Sequence, residues 1–142
     1  MTVHDMQYRE RHEGGSLSAA ISTAIVGVVR EYTGRGPTKA RTTIRDDTVL
    51  VMLEDTLTKG ERTLVESGCE DKVLDLRFAF QAAMRSEASA MVAQLTGRRV
   101  VAMMSANHID PDLAAEVFVL ESRPVATRER THLGLPGAPA KA

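Results

Sequence analysis

The sequence predicts an α+β domain in which two antiparallel β-hairpins form a four-stranded sheet packed by helices, in the order αββααββ. Three observations predict this fold: helical periodicity in two long segments, two pairs of β-prone runs, and a 43% hydrophobic content over 142 residues, which suffices for one core. We expect a flexible arm at 1–14, a single domain at 15–121 and a disordered tail at 122–142.

The first predicted helix follows the arm and has Ser16 as its N-cap. Its apolar residues recur at the three- and four-residue steps of a helix with one buried face: Leu17, Ala20, Ile21, Ala24, Ile25, Val28, Val29 and Tyr32. Gly34 is expected to end the helix, because glycine adopts the left-handed conformation at little cost.

The first predicted hairpin joins a Thr- and Ile-rich run at 39–44 to an apolar run at 49–53 through a polar turn at 45–48. Every residue of the second run is apolar. We therefore expect both faces of that strand to be covered.

Two helices are predicted between the hairpins. Thr58 and Glu61 form a capping box at the start of a short helix, which Gly68 ends. A longer helix covers 71–95, and Gly97 closes it. Its predicted buried face comprises Val73, Leu76, Phe80, Met84, Ala88, Met91 and Leu95.

The second predicted hairpin pairs the runs 98–105 and 113–121 through a connection that contains Pro111, a residue that cannot donate to a strand ladder. Both long helices and two strands carry apolar residues on more than one side, so we expect a homodimer. The predicted core comprises Ile21, Ile25, Val28, Val51, Leu53, Leu76, Phe80, Met84, Val101, Met103, Val117 and Val119.

Composition narrows the classes of function. The 18 basic and 19 acidic residues nearly cancel, so nucleic-acid binding is not expected. Cys69 is the sole cysteine, which excludes an intramolecular disulfide and a multi-cysteine metal site. The polar N-terminus shows no signal peptide, and the longest uncharged apolar run, 17–29, is too short to span a bilayer. We expect a cytoplasmic protein without membrane insertion and without a cofactor.

The segment 34–41 is the best candidate for a site, because its glycines expose backbone amides beside three cations. One interpretation is a site for a small anion, with neutral donors from the second hairpin if the hairpins lie side by side. The other is a helix stop followed by a strand with solvated cations. The anion interpretation assigns Arg35, Gly36, Thr38, Lys39, Arg41, Asn107 and His108.

Other polar groups make weaker candidates. His108, Asp110, Asp112 and Glu116 could bind a divalent metal, but their spacing matches neither a zinc motif nor an EF-hand, so we favour a polar turn and predict no metal site. Neither Cys69 nor the other polar residues have a partner at catalytic spacing, so we do not expect an enzyme.

An ordered set of short motifs resembles a small bacterial family named after MpsC, the third component of a cation-translocating, membrane-potential-generating system. The resemblance covers roughly 14–121 and rests on the segments 34–40, 53–58, 80–85, 95–98, 108–112 and 116–121. It implies a non-catalytic accessory or regulatory protein associated with a membrane transport system for cations or bicarbonate, with a membrane subunit as a protein partner. It assigns no site residues. The alternative hypothesis is an anion-binding module or enzyme that uses the turn at 34–41.

Overall fold

The structure, a computed structural model, describes residues 3–123, with side chains from residue 15 onward. The predicted α+β fold and the order αββααββ are confirmed. The elements are α1 (Val3–Thr33), β1 (Lys39–Arg45), β2 (Thr48–Glu54), α2 (Lys59–Glu66), α3 (Glu70–Thr96), β3 (Val100–His108) and β4 (Leu113–Leu120).

The four strands form one antiparallel sheet in the order β1-β2-β4-β3. Each predicted hairpin is present, and the pairing of β2 with β4 joins the two hairpins. The strands β1 and β3 therefore occupy opposite edges of the sheet, about 14 Å apart at a strand spacing of about 4.8 Å.

The helices α1 and α3 pack against one face of the sheet, which we call the inner face. Burial alternates along β2 and β4, as expected when one face of a sheet meets a core. Phe118 and Val51 of the inner face are fully buried, and Ile21 and Ile25 of α1 and Met84 and Val92 of α3 pack in the same core.

The opposite face of the sheet, which we call the outer sheet face, carries side chains that are half-buried or exposed. No element within residues 3–123 packs on it. The prediction that both faces of β2 are covered therefore holds for its inner face alone. The outer sheet face comprises Lys39, Arg41, Thr43, Arg45, Thr48, Leu50, Met52, Glu54, Ala102, Met104, Ala106, His108, Leu113, Ala115, Val117 and Val119.

The glycine stops and the capping box are as predicted. Gly34 and Gly97 have φ values of 82° and 70°, and Gly97 caps α3. Thr58 accepts from the Glu61 amide at 3.1 Å, and the Glu61 carboxylate accepts from the Thr58 amide at 2.9 Å. The backbone chemistry of these positions is local, which is why the sequence predicts them.

Two predicted boundaries are wrong. The helix α1 begins at Val3, so Ser16 lies inside it and is not an N-cap. The strand β3 continues to His108, so Asn107 and His108 belong to a strand and not to the connection. The side chains of the arm at 1–14 and the tail beyond residue 123 lie outside the described residues, so those two boundaries stay predictions.

The predicted core needs correction on α3, at the start of β3 and on the outer sheet face. Leu76 is 41% exposed and Val101 is 52% exposed, while Val117 and Val119 are half-buried on the outer sheet face. The buried side of α3 instead comprises Val73, Arg77, Gln81, Met84, Ala88 and Val92. The helical periodicity of α3 is confirmed. In the first half of this helix, however, the apolar residues alone predict the wrong buried side.

Candidate functional site

The segment 34–41 after α1, which we call the cationic turn, contacts the connection between β2 and α2. The Arg35 guanidinium contacts the Asp55 carboxylate at 2.8 Å and donates to the Leu57 carbonyl at 3.3 Å. Thr38 donates to the same carboxylate at 3.0 Å, and Arg62 contacts it at 2.6 Å. The hydrogen bond from Arg35 holds the pKa of Asp55 below its usual range. Arg35 and Thr38 therefore join the connection between α1 and β1 to the connection between β2 and α2.

The remaining cations of the turn lie on β1. Lys39 approaches Glu54 at 3.8 Å, and Arg41 is exposed. Together with Thr38 and Met52 they line an open depression of about 490 Å³ at the edge of the outer sheet face. This depression is the place where Lys39 and Arg41 could meet an anion.

Gly36 is close to Arg30, since a Cβ at this position would lie 2.9 Å from the Arg30 Nε atom. The close approach explains a glycine there without a ligand. The Arg30 guanidinium therefore lies beside the cationic turn, on its α1 side.

Asn107 and His108 are not brought to the cationic turn, because they lie on β3 at the opposite edge of the sheet. Asn107 exchanges two amide hydrogen bonds with Gln81, at 2.9 and 3.0 Å. The exposed His108 ring contacts the Pro111 carbonyl at 2.8 Å. The anion hypothesis thus reduces to the residues around β1, and it stays a prediction.

A buried polar network lies where α2 and α3 meet the end of the sheet. Arg77 donates to the Glu61 carboxylate through Nε at 2.7 Å and through Nη2 at 3.1 Å, and to the Thr56 hydroxyl at 2.8 Å. Thr56 donates in turn to Asp112 at 2.6 Å, and the Leu57 amide donates to the other Asp112 oxygen at 2.9 Å. We call Glu61, Arg77, Thr56 and Asp112 the Arg77 network.

The pairing within the Arg77 network decides the charge of Glu61. Burial raises the pKa of this carboxyl, but hydrogen bonds from Arg77 and from the Thr58 amide outweigh it, so the pKa of Glu61 is lowered. The buried arginine and carboxylate are therefore both charged, and each depends on the other.

Glu116 lies next to this network on the inner face of β4, and it is 2% exposed. It accepts a hydrogen bond from the Ser105 hydroxyl and a long one, 3.5 Å, from Gln81. Burial raises the pKa of Glu116 from 4.5 to about 7, against the lowering effect of the two hydrogen bonds and of the Arg77 and Arg85 charges. The carboxyl can therefore exchange a proton near neutral pH.

A narrow cleft of about 20 Å³ separates Glu116 from Arg77 and is also lined by Thr56, Phe80 and Gln81. This volume has room for about one water molecule. The cleft therefore has space for a water molecule beside the Glu116 carboxyl.

The polar residues of the β3–β4 hairpin do not converge as a metal site would. Asp112 belongs to the Arg77 network, Glu116 points into the core, and His108 is exposed. Among the described residues, no group of three or more His, Cys, Asp or Glu side chains could hold a metal ion.

A comparison with known families decides what the chain is related to. The family model described as MpsC, Na+-translocating membrane potential-generating system, matches residues 13–122, well over half of the chain. The chain belongs to the MpsC family. No curated protein and no solved structure matches it. None of the helices in the described part of this family member has the length and apolar character needed to cross a bilayer.

Sequence reasoning missed the buried polar groups of α3 in this MpsC family member. Arg77 and Gln81 interrupt the apolar series between Val73 and Met84, at steps of four and three residues. That spacing was the available signal, since a charged residue at a core position of a helix indicates a buried partner. The sequence places Glu116 in a cluster interpreted as a polar turn rather than a metal site, and no local pattern predicts its contacts with Ser105 and Gln81.

The opposite side of α3 presents apolar groups to solvent. Phe78 is 74% exposed and Leu74 is 41% exposed, and Ala82 lies one turn further along the same side. We call Leu74, Phe78 and Ala82 the α3 strip. The exposed Asp71 and Asp75 lie beside it. Apolar side chains aligned on one side of an exposed helix are the arrangement that a helix-binding groove recognises.

Proposed function

We propose that the chain is a non-catalytic accessory protein, which acts in the cytoplasm and serves a Na+-translocating membrane system by binding one of its protein components. Family membership supports the link to that system. The observation that carries the binding role is the α3 strip, in which an aromatic side chain is largely in water. A buried phenylalanine contributes about 1.5–3 kcal/mol, so a partner that covers Phe78 gains free energy directly.

The charges beside the α3 strip define the chemistry of the partner surface. Glu70, Asp71 and Asp75 are exposed on the first turns of α3, together with Lys72. A complementary surface is an apolar groove flanked by Lys or Arg side chains. Such a groove on a membrane subunit would bind the strip in the helix-in-groove manner.

The binding role is tested with membrane vesicles from cells that contain or lack the translocating system. We expect the purified chain to cosediment with vesicles that contain the system, and Phe78→Asp to lose at least about tenfold in affinity, since a charge replaces a covered aromatic ring. Ala90→Asp, an exposed position three turns further along α3, is the matched control and should bind like the wild type. Equal binding to vesicles without the system, or to liposomes of the same lipids, would refute the proposal.

A second candidate function is binding of a small anion at the depression lined by Lys39 and Arg41. Two cations on one side of an edge strand support it. In a thermal-shift screen with bicarbonate, phosphate and sulfate, an anion that binds there should raise the unfolding midpoint of the wild type more than that of Lys39→Ala or Arg41→Ala. Equal shifts in all three proteins would exclude this site.

A further inference from the structure

The outer sheet face is a second surface with an apolar centre, separate from the α3 strip. Its centre is uncharged, and its cations are confined to β1 at one edge. The strand register arranges its two central rows as Thr43–Leu50–Val117–Met104 and Arg41–Met52–Ala115–Ala106. We propose that a second copy of this chain covers the outer sheet face, with β1 of each copy stacked over β3 of the other.

The size of the face fits a second copy. Four strands about 4.8 Å apart and seven residues of about 3.3 Å each make a surface about 19 Å wide and about 23 Å long. With the relief of its side chains, this surface exposes on the order of 600 Å², which is the lower end of what each partner contributes to a stable interface. Two such faces would stack as an aligned β-sandwich.

The side-chain volumes of the two rows are self-complementary. A two-fold axis parallel to the strands, between β2 and β4, places Leu50 over Val117 of the partner subunit and Met52 over Ala115 of the partner subunit. The same axis places the short Thr43 over the long Met104 of the partner subunit. Each long side chain therefore faces a shorter one, which is the condition for close packing between two layers.

The charge distribution favours a two-fold axis parallel to the strands over a two-fold axis across them. Lys39, Arg41 and Arg45 share one side of β1. With β1 over β3, Arg41 and Arg45 face the uncharged Ala106 and Ala102 of the partner subunit, and Lys39 faces the partner subunit's His108. A two-fold axis across the strands would instead stack the two copies of β1 on each other and oppose like charges, which is unfavourable.

Sedimentation equilibrium of the full chain at low micromolar concentration tests the interface. We expect a dimer for the wild type, and at least a tenfold higher dissociation constant for Met104→Lys, because the new cation meets Arg41 and Arg45 of the partner subunit. Met104→Glu should be affected less, since its charge is complementary there. Leu76→Lys, an exposed apolar position on α3 outside the α3 strip, is the matched control and should dimerise like the wild type.

Cross-linking tests the strand order independently and does not require a disrupted dimer. In a Cys69→Ser background, Thr43→Cys combined with Met104→Cys should give a covalent dimer with a bismaleimide that spans about 10 Å, the usual distance between stacked sheets. Either cysteine alone should not. A wild type that stays monomeric, a Met104→Lys dimer of unchanged stability, or efficient cross-linking through Thr43→Cys alone would overturn the proposal.

Discussion

At the scale of single residues, Glu116 is the group whose chemistry depends most on its surroundings. It is a carboxyl on the inner face of a central strand, beside Ser105 and Gln81 and across a narrow cleft from Arg77. Its raised pKa means that the folded chain binds this proton more tightly than the unfolded chain does. Folding stability must therefore change with pH in the range where the two states differ.

The sign of that change follows from the pKa of Glu116, which is 4.5 in the unfolded chain and about 7 in the folded chain. The contribution of Glu116 to the free energy of unfolding is largest below the pKa of the unfolded chain. It declines as the pH rises between the two pKa values, and it no longer changes above about 7. The shift corresponds to about 3 kcal/mol. We expect the stability difference between wild type and Glu116→Gln to fall by about that amount from pH 5 to pH 8, measured by urea unfolding at one protein concentration. A difference independent of pH would contradict this assignment.

Arg77 gives the second prediction at this scale. Arg77→Leu leaves the buried Glu61 carboxylate without its main partner, so we expect a loss of about 3–5 kcal/mol in the free energy of unfolding. The double variant Arg77→Leu with Glu61→Leu should be more stable than the single one, because no unpaired charge remains. Arg62→Ala removes an exposed ion pair and should cost less than about 1 kcal/mol. Equal losses for Arg77→Leu and Arg62→Ala would be inconsistent with a buried network.

At the scale of the elements, two glycines have opposite effects on folding stability because their backbone conformations differ. Gly97 ends α3 with a φ of 70°, a left-handed conformation that a side chain strains, whereas Gly27 is exposed inside α1. An added Cβ would meet no atom within 4 Å at either position. The backbone conformation alone therefore decides the effect of alanine.

We accordingly expect Gly97→Ala to destabilise the chain by about 1 kcal/mol and Gly27→Ala to stabilise it by about 0.5–1 kcal/mol. Thermal unfolding followed by circular dichroism measures both, with the wild type as reference. Changes of the same sign would show that packing, and not φ, controls these positions.

At the scale of the whole molecule, the layer arrangement decides what an apolar residue contributes. Phe118 is fully buried between the sheet and the helices, while Phe78 points away from the core on the far side of α3. We expect Phe118→Ala to lower the free energy of unfolding by about 3–5 kcal/mol and Phe78→Ala by less than about 1 kcal/mol. Urea unfolding compares them directly. A large loss from Phe78→Ala would place that ring in a covered environment.

The sequence by itself determined the type and order of the elements, because these follow from local backbone chemistry. The three- and four-residue steps in α1 and α3, the capping box at Thr58 and the left-handed stops at Gly34 and Gly97 were all predictable in this way. The motif order was also specific enough to indicate the MpsC family, which the family match confirms.

Only the tertiary structure decided which side of α3 is buried and which predicted site residues meet. Arg77 turns inward because Glu61, on another helix, supplies a buried carboxylate, and Leu76 is then left half in water. The pairing of β2 with β4 sends β1 and β3 to opposite edges, so His108 cannot reach Lys39. Both outcomes depend on pairs of groups far apart along the chain, and local periodicity carries no information about such pairs.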